Sequence, residues 1–404
     1  MKTKTARPVY ISRIAHVSAL GLSAAAAAKA QLAGEKNISR RELLGTRHPW
    51  FALPLDEQDW MARVRRVARL VAAELSAGAG ISPAGFAALP LFIGSSSFAA
   101  GAAETVARRS GRPPAGRLDF DKELCAALGN ATSPWKFSTS CTSGLAALEA
   151  AFLLMGQGRI ETALALGLEF ANDTTLAGFA GLGLLAPTEN DDGLILGEAL
   201  AGLLLTTATT SATTATTRPS PGWKISACRL GVDGYSVTAP TPDGRALAAN
   251  LAAALDDAGI KARDIDLVKP HRVRVSSADA AEESALDQIF GKHRPPEISF
   301  KRQLGHTLGA SGPAELTLLL ALLDTAAGAA RYRHPQRLLF NLIGFGGSIA
   351  TLIVERAGAV AARNERQAFR PVAQNELGRG LHPLPGGYGR NPGLQAGVST
   401  FALP

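Results

Sequence analysis

Two stretches of this chain, Ala146–Leu154 and Leu316–Leu323, follow a helical pattern yet show no polar face. A helix that is apolar all round has to be covered all round. The rest of the sequence can supply that cover. Short apolar runs alternate with helical patterns from end to end, the mark of an α/β architecture. Strands are expected at Leu91-Phe-Ile, at Trp135-Lys-Phe-Ser, at Ala163-Leu-Ala-Leu-Gly and at Ala199–Leu205. Further strands are expected from Lys224 to Cys228, from Ile265 to Pro270 and from Gly346 to Val354. Helices are expected over Gly244–Gly259, Ala280–Phe290 and Leu308–Leu323. With 404 residues, 46% of them hydrophobic and only 19% charged, a large core is within reach.

Residues 206–222 are almost all Thr, Ala, Ser and Pro, which marks a linker. The expected division is therefore 1–222, 223–356, and a Gly/Pro/Arg-rich extension, 357–404, without a packed core. The start, with Lys2, Lys4 and Arg7 ahead of an apolar run, superficially matches a signal peptide. Arg13 and His16 interrupt that run, and Val9-Tyr-Ile alternates like a strand, so export is not expected. No uncharged apolar run is long enough for a membrane span. The net charge of +8 favours an acidic partner, but no basic run is interleaved with aromatics, so nucleic acid is not expected. The cysteines, Cys125, Cys141 and Cys228, have neither metal nor disulfide spacing. No metal is expected, and the thiols suit a reducing, cytoplasmic compartment.

Chemistry concentrates at Cys141, in Phe-Ser-Thr-Ser-Cys-Thr-Ser-Gly-Leu-Ala-Ala-Leu. The apolar helix begins there. A helix N-terminus carries roughly half a positive charge, which favours thiolate over thiol, so Cys141 is expected to be an activated nucleophile. Cys125 and Cys228 sit in ordinary apolar contexts and are expected to be structural. His306 lies in a glycine-bounded turn before the second apolar helix, where a ligand can approach closely. Lys301 precedes an apolar-rich segment, and its charge needs a partner. Because Cys141 follows one strand and His271 another, the second half is expected to repeat the strand, reactive residue and helix of the first.

Four motifs in order resemble the β-ketoacyl synthase family, the condensing enzymes of fatty acid and polyketide synthesis. They are Thr139-Ser-Cys-Thr-Ser-Gly; Pro270-His271 with Asp279 and Glu282 downstream; Lys301-Arg-Gln-Leu-Gly-His306-Thr-Leu-Gly-Ala-Ser-Gly312 with Glu315; and Gly344-Phe-Gly-Gly347. Val17-Ser-Ala-Leu-Gly, Asp192–Glu198 and Thr238–Gly244 match more loosely, and the resemblance spans residues 8–356. It implies a thiolase-like fold, αβαβα in five layers, with two similar halves and the two apolar helices in the middle. It implies decarboxylative Claisen condensation on acyl groups carried by phosphopantetheine, with no bound cofactor. Cys141 would be acylated. His271 and His306 would donate to the malonyl thioester as its enolate forms, and Lys301 with Glu315 would tune them. Phe345, between Gly344 and Gly346, would complete the oxyanion hole with its amide and gate the acyl pocket with its ring. The implied partners are an acyl carrier protein and a second subunit, in a homodimer or a heterodimer with another ketosynthase-like chain.

The chain also departs from the family pattern. The family follows its first histidine with Gly-Thr-Gly-Thr, whose threonines bind the pantetheine arm. Here the segment is His271-Arg-Val-Arg-Val275. Two hydroxyls are gone, each worth on the order of 1 kcal/mol. Arg272 and Arg274 are expected either to enter a carboxylate network or to line the entry and meet the arm's phosphate. Two readings follow: an active, divergent ketosynthase of fatty acid, polyketide or polyene type, or a non-catalytic partner subunit like a chain-length factor. The retained cysteine favours the first. A coenzyme A-dependent thiolase would want a second cysteine in a Cys-x-Gly turn near the C-terminus, and none exists.

Overall fold

The computed structural model describes residues 7–116, 118–207 and 222–357. The expected linker, apart from its ends, and the expected extension beyond Ala357 lie outside the described residues, which all belong to one compact unit. The strands are β1 (Val9–Ser18), β2 (Ser39–Leu43), β3 (Thr46–Phe51), β4 (Leu91–Gly94), β5 (Trp135–Phe137) and β6 (Thr162–Glu169). They continue with β7 (Leu196–Gly197), β8 (Ala199–Thr206), β9 (Trp223–Val232), β10 (Leu267–Lys269), β11 (Arg337–Gly344) and β12 (Ser348–Arg356). Nine of them form one sheet in the order β10-β11-β12-β9-β1-β8-β6-β4-β5, and β2, β3 and β7 form a smaller one.

The large sheet is two copies of one pattern joined at β1 and β9. From the seam outward, one side runs β1, β8, β6, β4 with antiparallel, antiparallel and parallel pairing. The other side runs β9, β12, β11, β10 with the same three relations. The seam itself is short: Val9, Tyr10 and Ile11 pair with Ile225, Lys224 and Trp223. Strands such as β6 and β8 are apolar along their length because both faces are covered.

Helix Trp60–Ser76 covers the outer face of the first half. Asp59 caps it by accepting from the Ala62 amide, and Val64, Val67, Ala68, Val71 and Leu75 form its buried stripe against β1 and β8. Helices Arg245–Ala258 and Ser276–Phe290 cover the outer face of the second half. Between the half-sheets lie helices Ser143–Gly156 and Ser311–Leu323, the latter buried at every residue. They approach so closely that a Cβ on Gly144 would stand 2.3 Å from Pro313 Cδ. The result is the expected five layers, with the two helices that lacked a polar face at the centre.

The expected internal repeat needs a correction. The strand before His271, β10, occupies the place of β4, not that of β5 before Cys141. The counterpart of the Cys141 turn is the turn into Ser311–Leu323. Thr139-Ser-Cys-Thr-Ser-Gly-Leu-Ala matches Thr307-Leu-Gly-Ala-Ser-Gly-Pro-Ala, and each makes one 3-10 turn before its helix. Ser140 (φ 56°) and Leu308 (φ 46°), at equivalent positions, are both left-handed. Gly309 stands where Cys141 stands.

Candidate active site

Cys141 lies within the 3-10 turn Ser140–Thr142, one step ahead of the helix proper. Hydroxyls hold the left-handed Ser140 in place. Ser143 Oγ donates to the Ser140 carbonyl at 2.5 Å and accepts from the Thr139 amide at 2.9 Å. Thr142 Oγ1 and Ser348 Oγ both donate to the Thr139 carbonyl, at 2.7 and 3.0 Å. Ser348 opens β12, so the nucleophile turn is tied to the other half of the molecule.

The sulfur meets groups from that other half. His306 Nε2 is 3.0 Å from Cys141 Sγ. The backbone N–H groups of Phe345 and of Cys141 itself also point at the sulfur. Gly344 makes this approach possible, since a Cβ there would lie 3.1 Å from the Cys141 amide and 2.4 Å from Ser348 Oγ. Gly346 turns the chain back with φ 77°, and its amide donates to the Val237 carbonyl at 2.7 Å. The Phe345 ring stacks on Phe179 with centroids 5.4 Å apart.

The expected thiolate is not the resting form of this closed site. Burial pushes the Cys141 thiol up to about 12, and Glu169 adds to the rise. The Lys301 charge and the two amides oppose it but do not prevail. Partial charge at a helix end is a smaller effect than removal from water, so a cysteine at the start of a buried helix rests as a thiol.

His306 is pinned by its backbone to β7: its amide donates to the Ile195 carbonyl at 2.7 Å, and its carbonyl accepts from Gly197 at 3.0 Å. Its Nδ1 faces Lys301 Nζ at 3.3 Å and Ser311 Oγ at 3.2 Å. An ammonium has only donors, so these partners assign Nδ1 as the acceptor and place the ring proton on Nε2, toward the sulfur. Burial and the nearby lysines hold His306 neutral, well below the ordinary histidine range. His271 is neutral for the same reasons. Its ring stands edge-on to that of His306 with centroids 5.3 Å apart, and its buried Nδ1 has no hydrogen-bond partner among the described residues.

Behind His306, Lys301 pairs with Glu315 as expected, but Glu315 has a second cation that the sequence reading missed. Lys269 of β10, with no exposed side-chain surface, takes Glu315 Oε2 while Lys301 takes Oε1. Burial works to raise the Glu315 carboxyl, and the two lysines override it and keep it ionised. Glu169 was also missed. It accepts from the amides of Ser96, Ser97 and Gly309 and from the Ser96 and Ser97 hydroxyls, binding one loop to the turn before Ser311–Leu323. A carboxylate in an otherwise apolar strand, Leu164–Glu169, was the available signal.

The His271–Val275 segment keeps a glycine-like backbone without glycine. Arg272 (φ 41°) and Arg274 (φ 66°) are left-handed, at a cost of about 1–2 kcal/mol each. Carboxylates of helix Ser276–Phe290 hold them there. Glu282 accepts from the amides of His271 and Arg272 at 2.7 and 3.0 Å; Asp279 accepts from those of Val273 and Arg274 at 2.9 and 3.0 Å. The Arg272 side chain pairs with Glu283 and Glu297. Arg274 donates to the carbonyls of Glu189 and Asp191. Of the two expectations for these arginines, Arg272 thus enters a carboxylate network, while Arg274 anchors to backbone. Val273 and Val275 line a pocket that reaches Cys141, His271 and His306 and is also lined by Phe179, Leu194 and Phe345.

Among the described residues, no group of three or more His, Cys, Asp or Glu side chains is arranged to hold a metal. No described helix is long and apolar enough to cross a membrane.

Residues 22–211 match the model of the beta-ketoacyl synthase N-terminal domain, and residues 224–330 match that of the C-terminal domain. The 3-oxoacyl-[acyl-carrier-protein] synthase 2 of Mycobacterium tuberculosis (strain ATCC 25618 / H37Rv) is 29% identical over 247 residues, 52% of this chain and 58% of that protein. The protein of the same name from Rhizobium meliloti (strain 1021) is 30% identical over 258 residues, 54% of this chain and 59% of that protein. The match thus spans a little over half the length of these curated relatives. In solved structures, the fold resembles a ketosynthase in complex with its chain length factor from Xenorhabdus doucetiae. The TM-score is 0.72 at 22% identity, over 87% of this chain and 98% of that one. A beta-ketoacyl synthase from Burkholderia phymatum STM815 gives 0.72 at 24% identity, over 87% and 99%. The thiolase-like fold is the one these proteins share.

Proposed function

The chain belongs to the β-ketoacyl synthase family, and from that premise we propose that it condenses a carrier-bound acyl chain with a malonyl carrier through an acyl group on Cys141. One observation carries this reading. A buried thiol, two neutral imidazoles and the Phe345 amide, drawn from separate elements of both halves, converge at the end of one apolar pocket.

In the first step Cys141 Sγ attacks the thioester carbonyl and the carrier thiol departs with the proton that Cys141 gives up. The oxyanion formed on the way is stabilised by the amides of Cys141 and Phe345. In the second step the malonyl thioester loses carbon dioxide, and the charge left on its carbonyl oxygen is met by His306 Nε2–H and by His271. The carbanion attacks the acyl carbonyl, the Cys141–acyl bond breaks, and the thiolate takes a proton from solvent. The neutral state of both histidines suits donation to an enolate, which an imidazolium would protonate more readily.

The net charge of +8 suits an acidic carrier, which would be steered to the pocket mouth. Incubation with an acyl-carrier thioester is the test. The expected result is an acyl mass on the peptide containing Cys141. The second reading, a non-catalytic partner of another ketosynthase, is favoured by one observation: Val273 and Val275 give the pocket wall no hydroxyl for an arm. It gains weight from the solved complex of a ketosynthase with its chain length factor. An unmodified Cys141 beside an acylated, co-purifying ketosynthase would decide for it.

A further inference from the structure

The unusual element of the site is that two buried lysines share one carboxylate. Lys269 and Lys301 are 0% and 4% exposed at their side chains, and Glu315 is 1% exposed. The formal charges of these three buried side chains sum to one excess positive charge. The other charged and titratable groups facing this cluster do not cancel it directly. Burial works against the Lys269 charge, Glu315 works for it, and Glu282, which also accepts from the His271 and Arg272 amides and from Asn341 Nδ2, offsets part of it from further away. Glu169, on the far side of Cys141, is occupied by the Ser96, Ser97 and Gly309 donors. His271 and His306 are neutral. What remains within reach of the excess charge is the sulfur, or an oxygen held between the two histidines.

We propose that Lys269 is a positioning residue: by occupying Glu315 Oε2 it keeps the Lys301 ammonium turned to His306 Nδ1, fixes the Nε2–H tautomer, and leaves the Lys301 charge only partly compensated behind Cys141. Without Lys269, Glu315 and Lys301 form a neutral pair. The charge that appears on the sulfur when it ionises is then met by the Cys141 and Phe345 amides and the His306 ring, with less help from the Lys301 ammonium. A permanent charge placed where negative charge develops costs no rearrangement during reaction. The inference takes Cys141 as the nucleophile, as above, but it concerns the reactivity of the thiol and needs no thioester substrate.

The test is the pH–rate profile of Cys141 alkylation by iodoacetamide, read by mass on its peptide, in the full chain and in Lys269→Met and Lys269→Gln. Met removes charge and hydrogen bond; Gln keeps a donor for Glu315. The expected result is a profile displaced to higher pH in both variants, with about tenfold slower alkylation at a fixed pH on the rising limb, one pH unit of displacement being tenfold in thiolate. Lys269→Arg should restore the wild-type limb. Unchanged profiles in Met and Gln would overturn the proposal. So would a full rescue by Gln, which would reduce Lys269 to a hydrogen-bond donor. Should the variants not fold, nitrogen-15 NMR of His306 in the wild-type chain decides: an Nε2–H tautomer persisting from pH 6 to 9 is expected, and an imidazolium or an Nδ1–H tautomer overturns it. Failure of acyl transfer alone would leave these readouts untouched, so the two ideas fail separately.

Discussion

The turns before the two central helices are built alike and used differently. Each places a left-handed residue, Ser140 or Leu308, ahead of a 3-10 turn and a Ser-Gly helix start. In the first, the residue after the left-handed one is Cys141, and its side chain reaches into the pocket. In the second it is Gly309, whose amide donates to Glu169 at 3.0 Å. The second turn contributes its imidazole from three residues before Gly309, where His306 precedes Thr307. One backbone device therefore presents a thiol from one side and an imidazole from the other. The lesson is that the two halves share a frame and differ in the side chains hung on it.

That inequality can be attacked directly. The substitution Cys141→Gly writes the second turn into the first; the fold should survive, and the acyl mass gain on incubation with a carrier thioester should vanish entirely. Retained acylation in that variant would place the nucleophile elsewhere. Removing the other turn's contribution with His306→Ala should lower malonyl-carrier decarboxylation by about 10²–10³-fold. An unchanged rate would sink the donor role of His306.

The reverse exchange should be structural rather than chemical. A Cβ at Gly309 would lie 2.4 Å from the Ser96 nitrogen and 2.7 Å from the Ser95 carbonyl carbon. Gly309→Ala should therefore cost about 3 kcal/mol in denaturant unfolding. A mild Gly309→Ala would mean that the two turns are not as differently packed as they look.

Acid should loosen the contact between the first strand and the second helix. His16 of β1 bonds to Ser18 Oγ at 2.8 Å and to Thr317 Oγ1 at 3.0 Å, and burial lowers it to about 4. The unfolded chain takes up this proton near pH 6.5 and the native one only near 4. The His16 contribution is thus fully present above pH 6.5 and is lost as the pH falls toward 4, about 3 kcal/mol in all. Unfolding free energies at pH 7 and 4.5 should show this loss, and His16→Gln should remove that part of the slope. The smallest effect concerns the pocket wall: Val273→Thr with Val275→Thr should lower KM for a carrier-bound substrate several-fold, at about 1 kcal/mol per restored hydrogen bond. An unmoved KM would show that the arm does not pass these residues.

Much of this was legible in the sequence because local pattern and tertiary role agreed. The all-apolar runs at Leu91, Ala163 and Ala199 are strands buried on both faces, and the helices without polar faces are the central layer. The helix expected from Ala280 starts earlier, at Ser276, because Ser-Ser-Ala carries no apolar periodicity to announce it. The small sheet went unread: Ser39-Arg-Arg-Glu-Leu43 has no apolar alternation and is held by pairing with β3. Within the site, motif spacing brought out Cys141, His271, His306, Lys301, Glu315 and Phe345, and the structure brings them together. Two things were hidden. Lys269 in Leu-Val-Lys-Pro looks like the polar end of a strand until Glu315 is seen behind it. The balance between helix charge and desolvation at Cys141 depends on burial, which no local pattern reports.

The seam between β1 and β9 carries a further consequence. Among the described residues, Val9–Ile11 alone pair across the half-sheets, while β9 runs on to Val232 beside β12. The sheet thus opens from a crease like the leaves of a book, and the central helices are the pages held between them. Cys141 comes from one leaf and His306 from the other. A misplacement of about 1 Å between reacting groups costs on the order of 100-fold in rate, so a seam of three residue pairs leaves the packing of the central helices to hold the two leaves at a fixed opening.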